Sequence, residues 1–94
     1  MHEYHFVATA PLVSRAVELE GRLRGEGYIV ERKSKNVTWT VWSEGTLEDR
    51  AWLVQDTVAY VGAICSDTMG RRKATLTVEK NGVSLGHFRC QGEW

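Results

Sequence analysis

Two segments in which apolar residues recur every three or four positions lie among segments in which apolar and polar residues alternate. Helical spacing places a set of apolar side chains on one face of a helix, whereas alternation is typical of a strand with one buried face. Along the chain the two patterns follow one another as strand, helix, strand, strand, helix, strand, strand. The first helix carries a stripe formed by Leu12, Ala16, Leu19 and Leu23.

The strongest short-range signal is Asn81-Gly82, which stands between two β-prone segments and predicts a hairpin with a two-residue turn. Such a turn pairs Lys80 with Val83, and Val78 with Leu85. A bulge at Gly86 then shifts the register by one residue, so that apolar residues face each other. The pairs predicted beyond the bulge are Leu76 with Phe88 and Ala74 with Cys90.

Trp39 and Trp42 lie in one alternating segment, which follows a tight turn near residues 34–36. Successive side chains of a strand point to opposite faces of the sheet. Trp39 shares its face with Val37 and Val41, and Trp42 shares the other face with threonines. We therefore predict that Trp39 belongs to the core and that Trp42 lies on the open face.

The second helix is predicted over residues 46–67, with Thr46 as its N-cap and Gly70 ending it. Its core stripe consists of Leu47, Ala51, Val54, Val58, Val61 and Cys65. A second stripe, roughly 100° away around the helix, consists of Leu53, Thr57, Tyr60 and Ile64. This second stripe either packs within the molecule or contacts another one, and Trp52 is either a rim residue or an interface anchor.

These elements predict a single α+β domain over residues 1–94. The expected architecture is a ferredoxin-like βαββαβ sandwich with an extra C-terminal hairpin strand, in which both helices cover one face of the sheet. The antiparallel sheet is expected in the order 5-4-1-3-2. Pro11 fits the first turn of the first helix, and Gly25 or Gly27 fits its left-handed C-terminal cap.

Residues 3 to about 78, and within them Gly27, Tyr28 and Val30, resemble the regulator of ribonuclease activity B family. The shared features are a polar-rich first strand, a helix that ends in "GYIV", a strand, a long helix and a strand. The resemblance implies a regulatory protein that inhibits ribonuclease E. It assigns no functional residue to this chain.

Charge and composition narrow the function classes. Twelve basic and twelve acidic residues give a formal net charge of zero, so overall attraction to nucleic acid or membranes is not expected. The sequence shows neither a signal peptide nor a run of about 18 apolar residues, which indicates a cytoplasmic protein without a membrane partner. In that compartment Cys65 and Cys90 are expected to be reduced; a disulfide between them is the alternative.

Metal and catalytic motifs are weak. His2-x-x-His5 and His87-x-x-Cys90 have a metal-like spacing, but residues three apart on a strand face opposite ways, so no metal or other cofactor is expected. The glycines of "GRLRGEGYIV" precede a strand rather than follow one, which excludes a phosphate loop. No nucleophile with an adjacent base is evident, so we predict no catalytic residues.

The predicted topology gathers basic side chains at one end of the domain, which we call the upper end. These residues are Arg32, Lys33, Lys35, Arg71, Arg72 and Lys73. With the second stripe, Trp42 and Trp52, they form the candidate contact surface. The leading hypothesis is a non-catalytic regulator or inhibitor that binds a protein partner, with a homodimer also considered. The alternatives are a nucleic-acid-binding domain and a small enzyme or ligand-binding domain.

Overall fold

A computed structural model describes residues 1–45, 47–65 and 73–90. It contains two helices and five strands in the order that the sequence predicts. The elements are β1 (His2–Thr9), α1 (Val13–Gly25), β2 (Val30–Lys33), β3 (Asn36–Ser43), α2 (Leu47–Cys65), β4 (Ala74–Lys80) and β5 (Val83–Cys90).

The five strands form one antiparallel sheet in the order β2-β3-β1-β4-β5. Read from the opposite edge, this is 5-4-1-3-2. β1 is the central strand: Phe6 lies opposite Trp39 of β3 on one side and opposite Val78 of β4 on the other. The alternation of apolar and polar residues in β1 suits this position, because every second side chain points to the buried face of the sheet.

The core lies between one face of the sheet and the two helices. Tyr4, Phe6 and Ala8 of β1 are buried there, and the ring of Phe6 stacks on Trp39 with 5.3 Å between ring centroids. α1 packs against β2 and β3, whereas α2 packs against β4 and β5. Neither helix combines the length and the apolar character needed to cross a bilayer.

The ends of α1 differ in part from the prediction. The helix begins at Val13 with Leu12 as its N-cap, so Pro11 precedes the helix instead of lying in its first turn, and Leu12 is exposed. At the other end Gly27 adopts a left-handed conformation, as expected of a glycine cap. The N–H of Tyr28 donates to the carbonyl of Leu23 at 3.1 Å, which completes a Schellman motif.

The C-terminal hairpin turns at Asn81 and Gly82, both with positive φ, as a type I′ turn requires. The predicted pairs Leu76–Phe88 and Ala74–Cys90 are confirmed. The predicted Val78–Leu85 pair is wrong: Val78 lies opposite Gly86, and the register shifts between Val78 and Glu79. Leu85 is therefore the extra residue of the bulge. The bulge lies one residue nearer the turn than the sequence pattern predicted.

α2 ends its described part at Cys65. The capping role of Thr46 and the helix end at Gly70 lie outside the described residues. Of the core stripe, Val61 and Cys65 are fully buried and Val54 and Val58 are partly buried, but Ala51 is exposed. The buried face of α2 is therefore rotated relative to the predicted core stripe.

The two tryptophans of β3 provide a test of the fold. Trp39 is 3% exposed and Trp42 is 59% exposed. We expect Trp39→Ala to lower the free energy of unfolding by about 3–5 kcal/mol, because it leaves a cavity beside Phe6. Trp42→Ala should lower it by less than about 1 kcal/mol. Urea denaturation of both variants measures the difference, and equal losses would contradict the assigned faces.

Candidate functional site

The predicted basic cluster does not form one compact site in the described residues. Lys33 ends β2, and Lys73 directly precedes β4. The sheet order separates β2 from β4 by three inter-strand spacings, about 14 Å. Arg71 and Arg72 lie outside the described residues.

Arg32 is engaged within the molecule. Its Nε donates to Oε1 of Glu20 at 3.0 Å, and its Nη1 donates to the carbonyl of Ser34 at 3.1 Å. Glu20 also pairs with Arg24 at 3.1 Å, so this carboxylate bridges α1 to β2. Within the part of the chain that the structure describes, Lys33, Lys35 and Lys73 are exposed and form no ion pair within 4.0 Å.

The second stripe of α2 belongs mainly to the interior. Ile64 is only 8% exposed, and Leu53 and Tyr60 are partly buried against the core. The hydroxyl of Thr57 donates to the carbonyl of Leu53 at 2.7 Å, within the helix itself. The structure therefore favours the alternative in which the second stripe packs within the molecule, because the sheet and α1 together cover a wider arc of α2 than one sheet face alone. Trp52 is 58% exposed on the outer side of the helix.

The sheet face opposite the helices is open and rich in hydroxyl groups. Nδ1 of His5 lies 3.2 Å from Oγ1 of Thr40, and Nδ1 of His87 lies 2.9 Å from Oγ1 of Thr77. Each pair joins neighbouring strands on this face. Cys90, three residues after His87, is buried on the helix side, so the strand separates the two groups as its alternation predicts.

A groove of about 800 Å³ crosses the open face over β1, β3 and the start of β2. At its margin Trp42 is 59% exposed and Ile29 is 91% exposed. These are large apolar side chains that the fold leaves in water. Tyr28, Trp39 and Val41 add further aromatic and aliphatic lining, and the polar lining residues are Glu3, His5, Glu31, Thr38 and Thr40.

The groove exists because β2 is short. Its first residue, Val30, lies opposite Trp39, whereas β3 continues to Ser43. The N–H of Tyr28 is used by the Schellman cap of α1, so the chain enters the sheet late. Ile29 therefore lies before β2. The sequence contained a signal for this late start of β2. The N–H of the residue after a left-handed glycine cap bonds to a carbonyl of the last helical turn, so that residue cannot yet pair in a sheet.

The two cysteines are buried free thiols. Burial raises the pKa of Cys65 to about 12, with a further contribution from Cys90, and burial raises the pKa of Cys90 to about 11. Because the thiolate is the nucleophile, neither sulfur suits covalent catalysis near neutral pH. The described residues hold no group of three or more His, Cys, Asp or Glu side chains arranged for a metal ion.

Ile64 gives a direct test of the interior position of the second stripe. We expect Ile64→Glu to destabilise the protein by roughly 3–5 kcal/mol, because it places an unpaired charge in the core. Ala63→Glu is the matched control, since Ala63 is the exposed neighbour on the same helix. Thermal unfolding compares the stability of the two variants. A folded Ile64→Glu variant as stable as the control would favour the alternative in which the second stripe contacts another molecule.

The raised pKa values of Cys65 and Cys90 predict a loss of stability at alkaline pH. In the unfolded chain both thiols ionise near pH 9.0, whereas in the folded chain they stay neutral up to about 11 or 12. The folded state then binds more protons, so the free energy of unfolding falls as pH rises from 9 towards 12. Urea midpoints at pH 8 and 10.5 should differ less in Cys65→Ala than in the natural chain. An identical pH slope in both would count against this origin.

Comparison with known proteins adds no relative: no protein-family model, curated protein or solved structure matches the chain. The resemblance of Gly27, Tyr28 and Val30 to the regulator of ribonuclease activity B family therefore stays a prediction. The case for a function accordingly depends on the geometry of the chain itself.

Proposed function

We propose that the chain is a small non-catalytic regulator that binds another protein through the groove on the open sheet face. The observation that carries the proposal is the pair of exposed apolar side chains, Trp42 and Ile29, in the lining of a groove that also contains polar and acidic residues. A partner that covers Trp42 removes a large aromatic surface from water, and tryptophan is enriched among the residues that dominate binding energy.

The proposed architecture is ferredoxin-like. It is supported by the βαββαβ order of the first six elements, by β1 and β3 as inner strands, and by two helices packed against the sheet. In such an arrangement the face away from the helices stays free for a partner. β5 adds a strand beside β4 and extends that face.

The charges of the groove favour a protein over a nucleic acid. Its lining contains the carboxylates of Glu3 and Glu31 and no lysine or arginine, so a phosphate backbone would be repelled. RNA-recognition domains of this topology stack bases on aromatic side chains of the two inner strands. On the open face β1 and β3 offer His5 and Trp42, and threonines occupy much of the rest.

An enzyme is a weaker hypothesis for the same face. The contacts of His5 with Thr40 and of His87 with Thr77 bring a base next to a hydroxyl. An activated nucleophile also needs a third group that orients the base. Among the described residues no such group is hydrogen-bonded to the other ring nitrogen of either histidine.

Trp42 and Trp52 form a matched pair for testing the contact surface, because they are 59% and 58% exposed on different faces. We expect tagged wild type and Trp52→Ser to capture the same protein from the native host, with nuclease present, whereas Trp42→Ser loses it. Both variants should remain folded, since neither side chain is buried, and circular dichroism checks this.

Each other result has a definite meaning. Undiminished capture by a folded Trp42→Ser variant would contradict the groove as the contact surface. Loss of capture only in Trp52→Ser would assign binding to the outer side of α2. Capture abolished by nuclease would favour the nucleic-acid hypothesis. A Lys33→Glu, Lys35→Glu variant tested over a range of salt concentrations shows whether the upper end contributes, because charge contacts weaken with salt.

A further inference from the structure

A second cavity lies on the helix side of β3. It is a cleft of about 210 Å³ enclosed by the C-terminal end of α1, the outer half of β3 and the middle of α2. Three aromatic residues line it: Tyr28, Trp39 and Tyr60. Aliphatic side chains form much of the remaining wall: Leu23, Val41 and Leu53.

The charged groups of this cleft are all acidic. Glu26, the C-cap of α1, and Asp56 of α2 belong to the lining, which contains no lysine or arginine. Both acidic residues are exposed at the rim, and no basic side chain of the described residues lies within 4.0 Å of either carboxylate. The C-terminal end of α1 adds the negative pole of the helix dipole to the same place.

One basic side chain that influences the cleft is paired with a residue outside it. Arg22 influences Tyr60 electrostatically, but its guanidinium pairs with Glu18 at 3.7 Å. The pKa of Tyr60 is raised, first by burial and then by the charge of Glu26, with a smaller contribution from Tyr28. Glu26, Tyr28 and Tyr60 all line the cleft, and these contributions to the pKa of Tyr60 agree with that placement.

We propose that this cleft is a binding site for an organic ammonium group. Aromatic rings attract cations through their negative faces, and aromatic cages are a general means of binding alkylated ammonium groups. In the cleft the rings of Tyr28, Trp39 and Tyr60 contact the alkyl groups on the nitrogen. The carboxylates of Glu26 and Asp56 balance its charge.

The cleft has a volume of about 210 Å³. That space suits a trimethylammonium group with a short alkyl chain. An anionic ligand is excluded by the two carboxylates. The ammonium group belongs either to a free small molecule or to a lysine side chain of a protein.

The test is a titration of the purified full chain with choline chloride, followed by the indole N–H resonance of Trp39 in NMR spectra. The neutral isostere 3,3-dimethylbutan-1-ol has the same shape without the charge. We expect choline to shift the Trp39 signal to saturation in the millimolar range, and we expect the isostere to shift it at least about five-fold more weakly. A peptide that contains trimethyllysine, beside the same peptide with alanine, distinguishes a protein source from a free one.

Two double variants separate local charge from net charge. Glu26→Gln with Asp56→Asn should weaken choline binding about ten-fold, because both charge partners are lost. Glu44→Gln with Glu79→Gln makes the same change in net charge at exposed positions outside the cleft, and it should leave binding unchanged.

Shifts by the trimethyllysine peptide alone would support the site with a protein ligand, and shifts by choline would support it with a free one. No shift by either probe would overturn the proposal. Equal shifts by choline and its isostere, or equal affinity in the two double variants, would overturn it as well. Trp39 also lines the groove around Trp42, so the comparison of the two double variants assigns the shift to the cleft: Glu26 and Asp56 line the cleft alone, and Glu44 and Glu79 line neither cavity. Failure of the protein-binding proposal leaves that comparison intact.

Discussion

The structure depends on the two-sided pairing of β1. Because β3 and β4 both run antiparallel to it, the buried side chains of three strands fall in register on one face. Phe6 occupies the middle of that face and stacks on Trp39. The helices then cover this apolar surface, and the pleat sends the alternate side chains to the open face. Both candidate binding surfaces include residues of β3, the strand beside β1.

A mismatch of strand lengths creates both cavities. β3 continues past the start of β2, since the cap of α1 holds Tyr28 at the end of the helix. The segment of β3 from Thr40 to Ser43 therefore has no paired strand on the β2 side. The groove around Trp42 lies on one side of this uncovered segment, and the cleft beside Tyr60 lies on the other. Tyr28, Trp39 and Val41 contribute to both linings, so the two sites share a wall.

Within the described residues, the charged side chains do not form the single basic contact surface that was predicted at the upper end. Arg32 is paired with Glu20, and Lys33 and Lys73 lie at strands that are three inter-strand spacings apart in the sheet. Both cavities instead have acidic linings without lysine or arginine. Their ligands are therefore expected to be apolar or positively charged.

Local patterns in the sequence determined much of this architecture. Alternation assigned Trp39 and Trp42 to opposite faces, Asn81-Gly82 located the last turn, and the pair Gly25 and Gly27 marked the end of α1. Each of these signals acts within a few residues. Over that distance the local structure is set by backbone sterics and by the alternation of side chains along a strand. The same local reasoning located the bulge near Gly86 but missed its position by one residue.

Only the tertiary structure decided which surfaces remain available for binding. Ile64 is buried because α1 and the sheet together surround more of α2 than either does alone. The groove and the cleft arise from the point at which β2 enters the sheet, and Glu20 reaches Arg32 because α1 crosses beside β2. These outcomes depend on distances between elements that are remote in the sequence, and a periodic pattern carries no information about such distances.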